Sequence, residues 1–236
     1  MQKIKVIYNP RLISFMTFLF LSLFATTVFA HGVSESDKMF IEQISGIQLI
    51  SYIYLGAKHM VTGYDHLLFL TGVIFFLYRM REIGAYVTLF AIGHSITLLY
   101  GVLSGTHVNP YIVDAIIGLS VVYKALDNIG GLKRVLGFQP NTKAAVLIFG
   151  FFHGFGLATK LQEFTLSKDG LVPNILAFNV GVEIGQLLAL TAILIAMSFW
   201  RRTKTYKHQA FTANVALMTT GFVLMGYQIT GYLNTI

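Results

Sequence analysis

The chain has 236 residues, of which 55% are hydrophobic and only 11% charged, and its mean hydropathy is strongly positive. A water-soluble domain of this size cannot bury so much apolar surface, so the composition argues against a soluble protein and for an all-α, polytopic membrane helix bundle. The absence of cysteine excludes disulfides and thiolate metal sites, and the net charge of +7 sits in short segments between apolar runs, an orientation signal for a membrane rather than a footprint for nucleic acid.

Residues 1–30 read as a secretory signal. MQKIKVIYNPR is basic, LISFMTFLFLSLFATT is apolar, and VFA closes on a small residue, so cleavage after Ala30 is expected to leave His31 as the first residue of a membrane domain spanning 31–236. Six later apolar runs are long enough, or nearly so, to span a bilayer: about 63–79, 83–104, 110–127, 143–161, 173–200 and 210–233. Lys and Arg concentrate in alternate loops. Arg79 and Arg81 follow the first run, Lys133, Arg134 and Lys143 bracket the third loop, and Arg201, Arg202, Lys204 and Lys207 fill the fifth. Those loops are expected in the cytoplasm, with the mature N-terminus and the C-terminus outside. Residues 40–60 are more polar, carrying Glu42, Gln43 and Lys58. Only one crossing fits between an exported His31 and a cytoplasmic Arg79, so 40–60 is expected as an outer interfacial or re-entrant helix. Asp65 and His66 then stand at the outer mouth of the first span.

Ionisable groups recur inside the later runs. His94 lies in GHS at 93–95, His153 in FGFFHGFG, and Asn179, Glu183 and Gln186 in FNVGVEIGQ, spaced i, i+4, i+7 along one side of a helix. Asp114 lies one turn into the third span. Each ionisable group at bilayer depth costs about 2.5–3.5 kcal/mol on insertion scales, so several together are expected to face inward and satisfy one another. They read as a polar track from Asp65, His66 and Asp114 through Asn179 and Glu183 to His94 and His153. Imidazole with carboxylate suits a divalent transition metal such as nickel, cobalt or zinc, and suits calcium or magnesium poorly. His31, with its own α-amine, and His59, just before Asp65, are candidate outer collecting ligands. Simpler roles stand beside these: Asp114 as a helix cap, Lys124 and Lys160 snorkelling near span ends, Gln186 and Ser95 as interhelical glue, and the G-V-E-I-G at 181–185 as close helix packing. Phe90…His94 and Phe149…His153 share one spacing, a faint internal repeat.

Together HMVTGYDHLLFL at 59–70, FAIGHSITL at 90–98, DAIIGLSVVYKALDN at 114–128, FGFFHGFGLA at 149–158 and FNVGVEIGQL at 178–187 resemble the HupE/UreJ family of bacterial membrane proteins. The resemblance implies a multi-pass protein of the bacterial inner membrane associated with nickel or cobalt uptake, with His66, His94, His153 and Glu183 as the carried-over positions and Asp65 and Asn179 beside them. Asp114 stands where the family is expected to have Glu. The leading expectation is a secondary permease for a divalent metal, which is its substrate, with lipid as its surroundings, no organic cofactor, no nucleic-acid partner, and oligomerisation left open. No GxxxxGK[ST] signals an ATP motor. The rivals are an intramembrane zinc hydrolase, which lacks HExxH and GxSxG, and a metal sensor or assembly protein without transport.

Overall fold

A computed structural model describes residues 35–43, 45–162 and 169–235; residues 1–30, expected as a signal, and His31 lie outside the described residues. Among those residues there are helices and no strands. In chain order they are α1 (Glu35–Gln43), α2 (Leu49–Thr62), α3 (Tyr64–Ile74), α4 (Met80–Ser104), α5 (Pro110–Asn128), α6 (Gly131–Leu136), α7 (Thr142–Gln162), α8 (Leu171–Arg201) and α9 (Tyr206–Leu233). Four of them, α4, α7, α8 and α9, are long and apolar enough to cross a membrane. The apolar residues exposed along them, among them Ile92, Ile96, Leu187, Leu188, Phe222 and Tyr227, make a multi-pass membrane bundle.

Local chemistry explains the punctuation. Asn109 caps α5, its Oδ1 accepting from the Tyr111 and Ile112 amides, and Pro110 follows at the first helical position. Asp114, expected as a cap, is too far into the helix for that role. Helix α4 stops at Gly105, whose φ of 66° is left-handed.

Glycine backbones set the packing. On α4 and α7, a Cβ at Gly93 would lie 2.5 Å from the Leu147 carbonyl, one at Gly150 2.6 Å from that of Phe90, and one at Gly154 against that of His94. From Phe90 beside Gly150 through His94 beside Gly154 to Gly101 beside Ala158 the residue numbers rise together, so these helices run parallel. On α2 and α8, Gly181 abuts Ile53, Gly56 abuts Phe178, and Gly185 abuts Ala57, again parallel. Gly118 and Gly221 meet across α5 and α9, which are antiparallel because Tyr111 reaches Gly231 while Asn128 bonds Asn214. Small residues let backbones approach where lipid offers no hydrophobic drive.

Residues 40–60 therefore do not form one helix apart from the bundle. They belong to two helices, and the second, α2, lies lengthwise on α8, with Tyr52, Leu55, Gly56 and Met60 buried. Its start is pinned where Asn174 accepts from the Gln48 amide (2.8 Å) and donates to the Gly46 carbonyl (2.9 Å). Helix α3 continues beyond a break at Gly63 to Ile74, short of the expected residue 79. The reason is at its end: Arg201 donates to the Ile74 and Phe75 carbonyls (2.7 and 2.8 Å), and the Tyr206 hydroxyl to Phe75 (3.3 Å), replacing the bonds a longer helix would supply. From Gly46 beside Gly170 to Phe75 beside Arg201, the broken pair α2–α3 accompanies α8 from end to end.

Candidate metal centre

The break at Gly63 builds the site. Gly63 leaves room for its neighbours, since a Cβ there would lie 2.7 Å from His66 Nδ1 and 3.0 Å from the His59 carbonyl. His59 lies in the last turn of α2 and Asp65 in the first turn of α3, where the helix dipole favours a carboxylate. Asp65 and His66 are 3% and 4% exposed, and His66 Nδ1 stands 3.0 Å from Asp65 Oδ1. The carboxylate accepts that proton, which fixes the tautomer and leaves the lone pair on His66 Nε2.

Four further helices close around this corner. The His153 ring, from α7, lies 4.8 Å from the His66 ring; His59 is 5.1 Å and His94, from α4, is 6.3 Å from it. Asp65, His66 and His153 each present a candidate ligand atom, all within 4.8 Å of one another. From α5, Ser120 gives its proton to the Ile117 carbonyl at 2.6 Å, so its oxygen is left to accept from His153 Nε2 at 3.4 Å. The Asn179 amide of α8 lies beside the His94 ring without reaching hydrogen-bond geometry. His59 Nε2, His66 Nε2, both ring nitrogens of His94 and both amide atoms of Asn179 are buried and make no hydrogen bond.

Six of the residues anticipated from the sequence thus meet: Asp65, His66, His94, His153, His59 and Asn179. The depth assigned to the first two changes, because Asp65 and His66 share a layer with His153, halfway along α7, rather than standing at an outer mouth. Glu183 does not join them. Its side chain is exposed, on the rim of α8 beside Val180 and Leu187. Asp114 is buried but committed elsewhere, 3.1 Å from Lys160 Nζ and 3.5 Å from Gln228 Nε2. Lys160 and Lys124 do not snorkel to water. Lys124 is buried and pairs with Asp127 at 2.6 Å. Ser95 is half-buried, and Gln186 is fully buried with neither amide atom bonded. Ser120 and Asn174 escaped the sequence reading. A hydroxyl four residues before a lysine and an asparagine near a helix start are too common to stand out.

Buried polar atoms left without partners cost about 1–3 kcal/mol each, so a run of imidazole nitrogens in that state is best accounted for by a ligand that accepts their lone pairs. Neutral imidazole nitrogens with one carboxylate and an amide oxygen form a borderline nitrogen and oxygen donor set. The fold and site define a membrane helix bundle with a buried histidine–carboxylate cluster at a helix break. The family model described as HupE / UreJ protein matches residues 35–236, and the chain belongs to that family. No curated protein and no solved structure matches the chain.

Proposed function

We propose that the chain is a secondary permease for a divalent transition-metal cation, nickel or cobalt by its family association, in the bacterial inner membrane. The observation that carries this reading is the buried group of Asp65, His66 and His153, whose candidate ligand atoms lie within 4.8 Å of one another, with the His94 ring beside it and with His66 Nε2 and both His94 nitrogens buried without a hydrogen bond. Broken helices that meet near the middle of a bundle are a recurrent way for transporters to expose ion ligands, and the α2–α3 break has that form.

The topology we infer has six crossings: α2 with α3, then α4, α5, α7, α8 and α9. The parallel pairs α2/α8 and α4/α7 and the antiparallel pair α5/α9 fit such an alternation. The Arg79, Lys133 and Arg201 ends face the cytoplasm, and a cleaved signal leaves both termini outside. His66 Nε2, His153, His94 and His59 would hold the cation, and Asp65 would balance its charge while orienting His66. His31 would serve as an outer collecting ligand. Asp114, with its ion pair to Lys160, and Glu183 are placed outside the first set of ligands.

The test is uptake of nickel or cobalt into proteoliposomes, with wild type compared with a His94→Ala/His153→Ala double mutant. Uptake by wild type and loss of most of it in the mutant is expected. Equal flux in both ends the proposal, and tight binding without flux in wild type selects a sensor or assembly role.

A further inference from the structure

Each of three site histidines has a phenylalanine one helical turn away, always toward the same end of the bundle. In α3 it is Phe69, three residues beyond His66; in α4 Phe90, four before His94; in α7 Phe149, four before His153. The numbering reverses because α3 runs opposite to α4 and α7, so all three rings lie on the side of the Arg201–Phe75 and Thr142–Asp127 contacts. Helix α5 adds Tyr123, one turn beyond Ser120 in the same sense. The rings touch one another: Phe69–Phe90 at 5.5 Å, Phe69–Phe149 at 5.9 Å and Tyr123–Phe149 at 5.3 Å between centroids. They also press on the layer above, with Phe90 5.0 Å from the His153 ring and Phe69 5.5 Å from it. Phe69 and Phe90 are each 1% exposed.

The other side of the histidine layer is built differently. One turn away in that direction stand Gly63, Thr97 and Gly156, and a Cβ at Gly156 would come within 3.7 Å of Asp114 Oδ1. That side is aliphatic and polar together, because the same Cβ would lie 3.2 Å from Val113 and 3.3 Å from Ile117, whereas four aromatic rings pack against one another across the other. Past the rings, Gln186 is fully buried with both amide atoms unbonded, about 10 Å along α8 from Asn179. A cation leaving toward that end must shed its site ligands and pass a layer of four aromatic rings whose one heteroatom is the Tyr123 hydroxyl oxygen. Such apolar constrictions close a path by excluding water.

We propose that Phe69, Phe90, Phe149 and Tyr123 form the barrier that closes the metal site toward the Arg79/Arg201 end, and that Phe90, which touches the rings of His66, His94 and His153, is its central element. The inference rests on the permease reading for its purpose, yet it can be tested without flux. The chain contains no cysteine, so Ser120→Cys places a single thiol in the histidine layer. In oriented vesicles, a small membrane-impermeant methanethiosulfonate applied from the Arg79/Arg201 side is expected to label this thiol slowly. Adding Phe90→Ala is expected to raise that rate at least tenfold. Where Phe90→Ala fails to elute as a monodisperse protein, Phe69→Ala or Phe149→Ala thins the same layer from another helix. Labelling that is already as fast from this side as from the other, or a rate unchanged in folded ring-deleted variants, overturns the barrier. Metal flux measured on the parent protein reports separately on the permease.

Discussion

Asp65 and Glu183 are both carboxylates in apolar segments, and the structure gives them opposite surroundings. Asp65 holds the Nδ1 proton of a buried imidazole, whereas Glu183 is exposed on the surface of α8. Partners that orient a metal-binding histidine are worth about 10–100-fold in affinity. Asp65→Asn is therefore expected to weaken cobalt binding by at least tenfold, and Glu183→Gln to leave it within about twofold. Titration calorimetry on both variants checks the contrast, and a large loss in Glu183→Gln would return that residue to the site. The residues of the cluster were readable because a charge in hydrocarbon is costly wherever it stands. Their angular position was not. Four residues along a helix advance about 40° beyond a full turn, enough to carry Glu183 past the buried arc that holds Asn179 and Gln186.

At the scale of helices, glycine decides which pairs are inseparable. A Cβ on Gly181 would collide with the Ile53 carbonyl, and backbone cannot rotate out of the way as a side chain can. Gly181→Ala is expected to part α2 from α8 and destabilise the protein by about 1–3 kcal/mol, the usual cost of overpacking. Gly226 has nothing within 4 Å of where its Cβ would lie, so Gly226→Ala is expected to be neutral or to gain about 0.5–1 kcal/mol from helix propensity. Thermal unfolding in detergent separates the two. The G-V-E-I-G spacing announced this contact in the sequence. The boundary at Gly63 was legible, since the polar segment 40–60 and the apolar run from 63 read as separate pieces, but nothing in the pattern said that both would accompany α8. The actual endpoint at Ile74 depends on Arg201, a partner 127 residues away, which no local pattern encodes.

Over the whole molecule, the alternation of basic loops and the directions of the packed helices point to the same arrangement, with residues 79–82 and 201–206 at one end and 105–109 and 169–170 at the other. Reporter fusions follow from it: a periplasm-active enzyme fused after Ile236 or inserted at Gly105 is expected to work, and one inserted at Lys204 to stay silent. Activity at Lys204 with silence at Gly105 would invert the proposed orientation. Parity of charge supplies the expectation of a single passage between residues 31 and 79, which the proposed topology keeps. It could not say that two helices would meet at Gly63 within that stretch, since charge bias counts crossings and is blind to a joint within one.

The joint has a mechanical meaning. Six of the long or paired helices are locked two by two through bare backbone, so each couple behaves as one stiff stave. Helix α3 is different: eleven residues, joined to α2 through one glycine, bonded at its backbone by Arg201 of α8 and Asn128 of α5, and otherwise held by interlocking side chains such as Phe69, Leu70 and Ile74. When the staves shift, the short pin between them has the least to lose by tilting, and it is the pin that carries Asp65 and His66.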